Sequence, residues 1–266
     1  MRVGLIGGGF MGEALVSALL KEGLAQPGEV TVSDVAEARR QHLASRYGIV
    51  ATAKNVEVAQ GADLVVLAVK PQEFPAVASD LRGRLDGVQT VLTIMAGVPS
   101  ERVVEALGHE AVVRVMPNSA ALVGQAMSVW TATPAVSDEG QEAVARLLRA
   151  LGREVRVTDE KFLDMATAVS GSGPAFVFLF LEAFIDAAVH IGLHRELAQE
   201  LALQTMSGAV CLARETAKHP AELRNMVTSP GGTTAAGLQV LEETGLRGAV
   251  IDAVEAAYER AKELGA

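Results

Sequence analysis

The sequence predicts an α/β chain in two parts, a doubly wound sheet with helices on both faces followed by an all-α region. Two observations carry this. Over roughly the first 160 residues, short apolar runs rich in β-branched residues alternate with amphipathic helical stretches, and beyond them the apolar period is helical throughout. A third observation, a glycine pattern closing the first apolar run, says what the sheet is for.

Strands are expected at 2–7 (RVGLIG), 29–33 (EVTVS), 62–69 (ADLVVLAV), 90–95 (TVLTIM), 111–117 (AVVRVMP), 127–132 (MSVWTA) and 154–157 (EVRV). Several are apolar without alternation, the mark of a parallel sheet covered on both sides. Amphipathic segments lie between them, such as VSDEGQEAVARLLRALG at 136–152. Helical patterns then occupy 174–192, 195–217, 220–227 and 233–265, with no convincing strand among them. The break near Val157-Thr158-Asp159 has no Pro/Gly/Ser linker. The expected division is 1–158 for a dinucleotide-binding domain and 159–266 for a helical substrate and dimerisation domain.

VGLIGGGFMGEAL carries G-x-G-x-x-G at Gly7, Gly9 and Gly12. The motif follows a predicted strand and opens a helix, which is the context a dinucleotide fingerprint requires. Gly7 allows the tight turn, Gly9 lets a pyrophosphate approach, and Gly12 permits close helix–strand packing. The helix start then offers N–H groups and a positive dipole end. A phosphate loop is excluded, because Glu13-Ala14 follow Gly12 where Lys-Ser/Thr would be needed. The first domain is therefore expected to be of Rossmann type.

Asp34 ends the second strand, 22 residues after Gly12, where an acidic residue usually accepts hydrogen bonds from the adenosine ribose of NAD. Ser33, Arg39 and Arg40 could instead hold a 2′-phosphate, although two adjacent arginines also suit a solvated helix face. NADPH and NADH both remain open at this point. Ligands in open α/β sheets sit at the carboxyl ends of strands, which adds Val69, Lys70 and Pro71 after LAV, and Ala96 and Gly97 after TIM.

Two small-residue stretches precede helical segments in the second part: SGSGPAF (170–176) and SPGGTTAAG (229–237). Each reads as a loop with hydroxyls leading into a helix, a place suited to an anion. Ser172 and Thr233 could be no more than N-caps. The adjacent glycines of SPGGTT exceed what capping needs, so this loop is read as a carboxylate cradle.

Other chemistries find little support. The five histidines show no H-E-x-x-H, and Cys211 is the only cysteine, so no metal site is expected. Cys211 reads as a small buried hydrophobe. A single cysteine suits a reducing cytoplasm, and MRVGLIGGGF reads as a strand and not as a signal peptide. The chain is 50% hydrophobic and 21% charged with a formal net charge of −9, and no basic stripe invites nucleic acid. The most apolar segment, 174–192, is uninterrupted only from Ala175 to Leu181 before Glu182 and Asp186. A span needs roughly 20 apolar residues. This segment is instead read as a helix buried on nearly all sides, at the heart of a helical domain or a subunit interface. A nicotinamide enzyme without an evident proton shuttle suits a substrate needing little acid help, such as a protonated cyclic imine.

GLIGGGFMGEAL, LAVKPQ, AGV, RVMPNSAA, SGSGPAF, HPAEL and SPGGTT follow one another in this chain in an order that resembles the pyrroline-5-carboxylate reductases, from residue 3 to about 260. Members of that family reduce 1-pyrroline-5-carboxylate to L-proline with NADPH or NADH. The resemblance implies that residues 6–11 (Ile6, Gly7, Gly8, Gly9, Phe10, Met11) and Ala68 to Pro71 line the cofactor, with Asn55 near the adenosine. It implies that Ser229, Gly231, Gly232 and Thr233 hold the substrate carboxylate, with Glu160 nearby. Thr234 would be the catalytic residue, bonding the ring nitrogen and helping to deliver its proton. The family's helical domains interlock as homodimers that often build decamers.

Three positions depart from the family's usual pattern. Ser119-Ala120 replace Thr-Pro after MPN, Phe176 stands for a common Tyr, and Asp34 stands where a small polar residue is frequent. Two rival readings fit the sequence less well. A β-hydroxyacid dehydrogenase would need a lysine on an early helix of the second domain, and none occurs from Phe162 to Glu215. A dinucleotide-sensing binding protein would need no carboxylate loop.

Overall fold

Alternate residues of the central strands face two different helical layers. In the computed structural model, which describes residues 1–265, Leu64 and Val66 join one buried cluster while Val65 and Leu67 join another on the opposite face. Such double burial explains the continuous apolar runs, since neither face of the strand meets water. Each fully buried Leu or Val contributes roughly 1.5–3 kcal/mol.

Two compact units divide the chain. One comprises Met1–Ser172 with the end of the chain from Ala257, and the other is Gly173–Ala256. The first unit runs β1 (Val3–Ile6), α1 (Phe10–Lys21), β2 (Val30–Ser33), α2 (Glu37–Tyr47), β3 (Val50–Thr52), α3 (Asn55–Ala59), β4 (Leu64–Leu67), α4 (Phe74–Leu81), β5 (Thr90–Thr93), α5 (Ser100–Leu107), β6 (Val112–Met116), β7 (Ala126–Ala132), α6 (Asp138–Leu151), β8 (Gly152–Arg156) and α7 (Lys161–Ala166). The sheet order is β3-β2-β1-β4-β5-β6-β7-β8. From β3 to β6 every pairing is parallel, so the expected doubly wound, Rossmann-type sheet is present.

One pairing departs from the parallel pattern. β7 pairs antiparallel to β6, and β8 then pairs parallel to β7. Only residues 117–125 join β6 to β7, and Ser119–Val123 form a short 3-10 turn. A parallel crossover needs a dozen or more residues and usually a helix, so the chain can only double back. β3 was not among the expected strands. It is a three-residue edge strand with no buried residue, too short and too wet for a periodicity signal.

Helix α6 illustrates how local sequence and packing agree. The Ser137 side chain accepts the Gly140 N–H at 3.1 Å as the N-cap, and Asp138 and Glu139 favour the positive end of the dipole. Val144, Leu147, Leu148 and Leu151 then fall on one buried stripe.

The second unit contains α8 (Gly173–His190), α9 (Arg195–Thr216), α10 (Pro220–Met226), α11 (Thr233–Glu243) and the first turns of α12 (Leu246–Gly265). Three expectations fail here. SGSGP is not a loop, and Ser172 is not an N-cap. Residues Thr167–Gly171 form a π-turn, with Ser172 N donating to Thr167 O at 2.8 Å, and helix continues from Lys161 to His190. Pro174 lacks an N–H, and a widened turn of small residues admits its ring without breaking the helix. Second, α8 buries none of its residues within the chain; Phe178, Leu179 and Phe180 are all exposed, so the reading as the heart of a helical domain fails while that of a subunit interface stands. Third, Cys211 is exposed. Apolar composition reveals that a helix will be covered, but not whether the cover belongs to its own chain. By length and composition, the helix Lys161–His190 could also cross a membrane, its most apolar 18 residues having a mean hydropathy of 1.6.

Candidate active site

The order β3-β2-β1-β4 reverses direction between β1 and β4, and ligands of open α/β sheets bind outside the carboxyl ends of strands at such a switch point. The expected cofactor residues gather there. Gly7 follows β1, Ser33 and Asp34 close β2, Asn55 opens α3, Ala68 to Pro71 follow β4, and Ala96 and Gly97 follow β5.

Backbone geometry gives the glycines their reasons. Gly7 has φ +102°, and a Cβ there would meet Ala68 O at 2.5 Å and Val69 Cγ1 at 3.1 Å. A Cβ at Gly12 would collide with the Gly7 carbonyl. A Cβ at Gly9 would meet nothing within 4 Å. Gly9 therefore owes its identity to no neighbour in the protein, which fits a backbone kept bare for a ligand's approach. Gly9 is the N-cap of α1 and supplies no side-chain cap, so the first-turn N–H groups remain available to an anion. These residues fit the pyrophosphate of a dinucleotide.

At the carboxyl end of β2, Asp34 Oδ2 accepts the Gly8 N–H and Oδ1 accepts the Ala36 N–H, both at 2.8 Å. The Ser33 hydroxyl donates to Asn55 Oδ1 at 2.8 Å, and Asn55 Nδ2 donates to Asp80 at 3.0 Å. Arg39 and Arg40 lie on α2, but neither is idle on a solvated face. Arg40 Nη1 donates to the carbonyls of Asp34 and Val35, and Arg39 reaches back to the glycine loop and Glu13. Lys70 is exposed, and its backbone N–H donates to Glu73 Oε2 at 3.3 Å.

Glu13 anchors this end of the cradle. Burial acts to raise its pKa, but hydrogen bonds from His42, Arg39 and Tyr47 and the Arg39 charge outweigh burial and hold it at about 2, against an ordinary 4.5. A depressed carboxylate pKa contributes stability that is complete above the unfolded value and is lost as pH falls through the folded one. Glu13→Gln is therefore expected to flatten the acid limb of the stability curve between about pH 4.5 and 2. Denaturant midpoints measured across that range would check this, and an unchanged slope would contradict it.

In the second unit, Ser229 to Gly232 close a turn in which Gly232 N donates to Ser229 O at 3.1 Å. Pro230 at the second position and Gly231 at the third with φ +68° match a type II turn. Gly232 is the N-cap of α11 and lies so close to the Ser229 hydroxyl that a Cβ would collide. Both glycines are thus required by the turn itself. The turn delivers a helix start without a side-chain cap, with Thr233 and Thr234 as the first two residues of α11.

Glu160 stands before α7. Its Oε1 accepts the Ser100 N–H and the Arg114 guanidinium, each at 2.8 Å, and Arg114 also pairs with Asp164 at 2.9 Å. Sequence reasoning passed over Arg114, although an arginine in the middle of the apolar strand AVVRVMP was a visible anomaly. It also passed over Asn118, whose amide donates to Ser170 O at 3.0 Å and accepts the Met127 N–H at 3.3 Å. The MPN motif thereby ties the end of β6 to the π-turn.

Comparison with known proteins shows what this arrangement belongs to. A family described as pyrroline-5-carboxylate reductase dimerisation matches residues 160–264, and one described as NADP oxidoreductase, coenzyme F420-dependent, matches residues 2–97. The pyrroline-5-carboxylate reductase of Synechocystis sp. is 42% identical over 265 residues, covering 100% of this chain and 98% of that one. The chain belongs to the pyrroline-5-carboxylate reductase family. The Escherichia coli reductase is 38% identical, covering 99% of this chain and 98% of its own. A pyrroline carboxylate reductase of Plasmodium falciparum, solved with NADP bound, superposes with a TM-score of 0.91 at 31% identity, covering 100% of this chain and 98% of that one. Membership makes the chain an NADP-dependent oxidoreductase with a small-molecule substrate and an oligomeric state.

Proposed function

We propose that this chain reduces 1-pyrroline-5-carboxylate to L-proline, the last step of proline biosynthesis, taking hydride from NADPH with NADH as a second donor. The observation that carries the reading is full-length similarity to named reductases together with the open glycine cradle at the switch point. Incubating the purified protein with 1-pyrroline-5-carboxylate and each dinucleotide should oxidise the dinucleotide and form L-proline. Tight cofactor binding without oxidation of either would favour the sensor reading instead.

A reduced nicotinamide dinucleotide, when bound, supplies the hydride. The chain's own part is to hold and orient. Ile6, Gly7, Gly8, Gly9, Phe10, Met11 and Gly12 would form the pyrophosphate cradle, with the uncapped N–H groups at the start of α1 turned to the ligand, and Ser33, Asp34 and Asn55 would border the adenosine. Ala68, Val69, Lys70, Pro71, Ala96 and Gly97 would line the nicotinamide side. Ser229, Gly231, Gly232 and Thr233 would hold the substrate carboxylate, which the positive start of α11 favours. Thr234 would bond the ring nitrogen and move its proton. Glu160, with Oε1 committed to Arg114 and Ser100, would border the substrate with its second oxygen.

The exposed apolar face of α8 supports a homodimer with interlocked helical domains, since so much bare aliphatic and aromatic surface is uncommon on a monomer. Dimers of this kind could assemble further into decamers. The same cover accounts for the apolar helix without a membrane, and net charge −9 disfavours nucleic acid. A cytoplasmic enzyme divided functionally at 1–158 and 159–266 agrees with these features; the last strand ends at Arg156.

A further inference from the structure

The glycine loop is gripped from outside. Gly8 is buried, and a Cβ there would meet Leu43 Cδ1 at 2.6 Å, so its peptide lies hard against α2. The Gly8 N–H donates to Asp34 Oδ2 at 2.8 Å. The Gly8 carbonyl accepts Arg39 Nε at 2.9 Å and Arg39 Nη2 as well. Arg39 Nη2 is held in turn by Glu13 Oε2 at 2.7 Å, while Glu13 Oε1 takes His42 at 2.9 Å and the Tyr47 hydroxyl at 3.2 Å. One residue is therefore held at both ends by charge-assisted hydrogen bonds, the Gly7–Gly8 peptide through its N–H from the tip of β2 and the Gly8–Gly9 peptide through its carbonyl from α2, backed by α1. Such bonds are short, directional and stronger than neutral ones.

We propose that Asp34 and Arg39 are positioning residues of the pyrophosphate loop, and that Arg39 is not the receptor of a 2′-phosphate. By position in the sequence, Asp34 would be assigned to the adenosine ribose and Arg39, with Ser33 and Arg40, to a 2′-phosphate on it. Asp34 Oδ2 and Arg39 Nε and Nη2 instead hold the N–H and the carbonyl of Gly8, while Asp34 Oδ1 takes the Ala36 N–H; the held carbonyl sets the direction of the Gly9 N–H and the start of α1. Cofactor choice and loop integrity are coupled through Asp34. An exchange of Asp34 intended to favour NADPH would also loosen the loop that both dinucleotides need. The inference rests on the dinucleotide part of the reductase reading. It does not depend on which imine is reduced, and it is tested by binding without turnover.

The test compares dissociation constants of NADPH, NADH and adenosine 2′-monophosphate for the wild type, Arg39→Ala, Arg39→Lys and Asp34→Ala. The dinucleotides are followed by fluorescence and the fragment by NMR titration. The fragment carries the 2′-phosphate but no pyrophosphate. Loss of a charged hydrogen bond corresponds to roughly ten- to hundredfold in affinity. Arg39→Ala should weaken NADPH and NADH by the same factor in that range and leave the fragment unchanged. Arg39→Lys keeps the charge but not the two-pronged geometry, so it should weaken both dinucleotides equally and less severely. It serves if the alanine variant does not fold. Asp34→Ala should weaken NADH and NADPH together. Weakening of NADPH and the fragment with NADH untouched would overturn the proposal by making Arg39 a 2′-phosphate receptor. Tighter NADPH binding in Asp34→Ala would overturn the coupling. Equal losses for all three ligands, or none, would overturn the positioning role.

Discussion

Thr234→Ala is expected to lower kcat for 1-pyrroline-5-carboxylate reduction by roughly 10²-fold, the lower end of what a positioned proton donor contributes, with dinucleotide affinity unchanged. Thr234 is the second residue of α11 and is half-buried. Alanine has the higher helix propensity there, so the fold should lose little. The turn before it depends on Gly232 and Ser229, and neither is altered. The expected signature is a fall in kcat with the KM for the dinucleotide preserved, and partial recovery in Thr234→Ser, which keeps the hydroxyl. If instead KM for the imine rises with kcat preserved, the side chain contributes uniform binding and not proton delivery. Unchanged turnover would remove Thr234 from the mechanism.

The parts legible in the sequence share one physical property, that a single local requirement dictates the residue type. Gly7 at φ +102° and Gly12 against the Gly7 carbonyl admit no other side chain comfortably, and β4 is apolar on both faces because both are covered. Pro230-Gly231 also answers a local requirement, since a type II turn asks for that pair, although the adjacent glycines read in the sequence as a carboxylate cradle. The features that escaped depend on distant partners. Nothing near Arg39 in sequence announces the Gly8 carbonyl, 31 residues away, and nothing near Asn118 announces Ser170. β3 escaped because three residues at a wet edge have no period. SGSGP reads as a loop by composition, whereas small residues ahead of a proline also permit a widened turn within one helix. The exposure of α8 was not readable because the sequence of one chain does not say which chain covers it.

Arg114 is where the largest loss of stability is expected. It is 4% exposed in β6, where it pairs with Thr93 of β5 and Thr131 of β7, both buried. Its guanidinium lies between the Glu160 and Asp164 carboxylates at 2.8 and 2.9 Å. Breaking a buried ion pair by removing one partner typically costs about 3–5 kcal/mol. Here the carboxylates keep 32% and 25% of their side-chain surface, so water recovers part of their solvation. Arg114→Met should therefore cost about 2–3 kcal/mol by discounting that range, which corresponds to a drop in Tm of roughly 5–10 °C. The consequence should reach the site. Glu160 Oε1 also receives the Ser100 N–H at the first turn of α5, and the segment just before α5 contains Ala96 and Gly97. A Glu160 released from Arg114 can swing into water and abandon that N–H, so dinucleotide affinity should fall along with Tm. Adding Glu160→Gln and Asp164→Asn to Arg114→Met removes the two unpaired charges. That variant should regain part of the lost Tm, because the penalty lies in carboxylates left without their cation more than in the missing pair. Calorimetry on the three proteins separates the cases. A triple variant no more stable than the single one would mean that the cost of Arg114→Met comes from packing in the strand and not from charge.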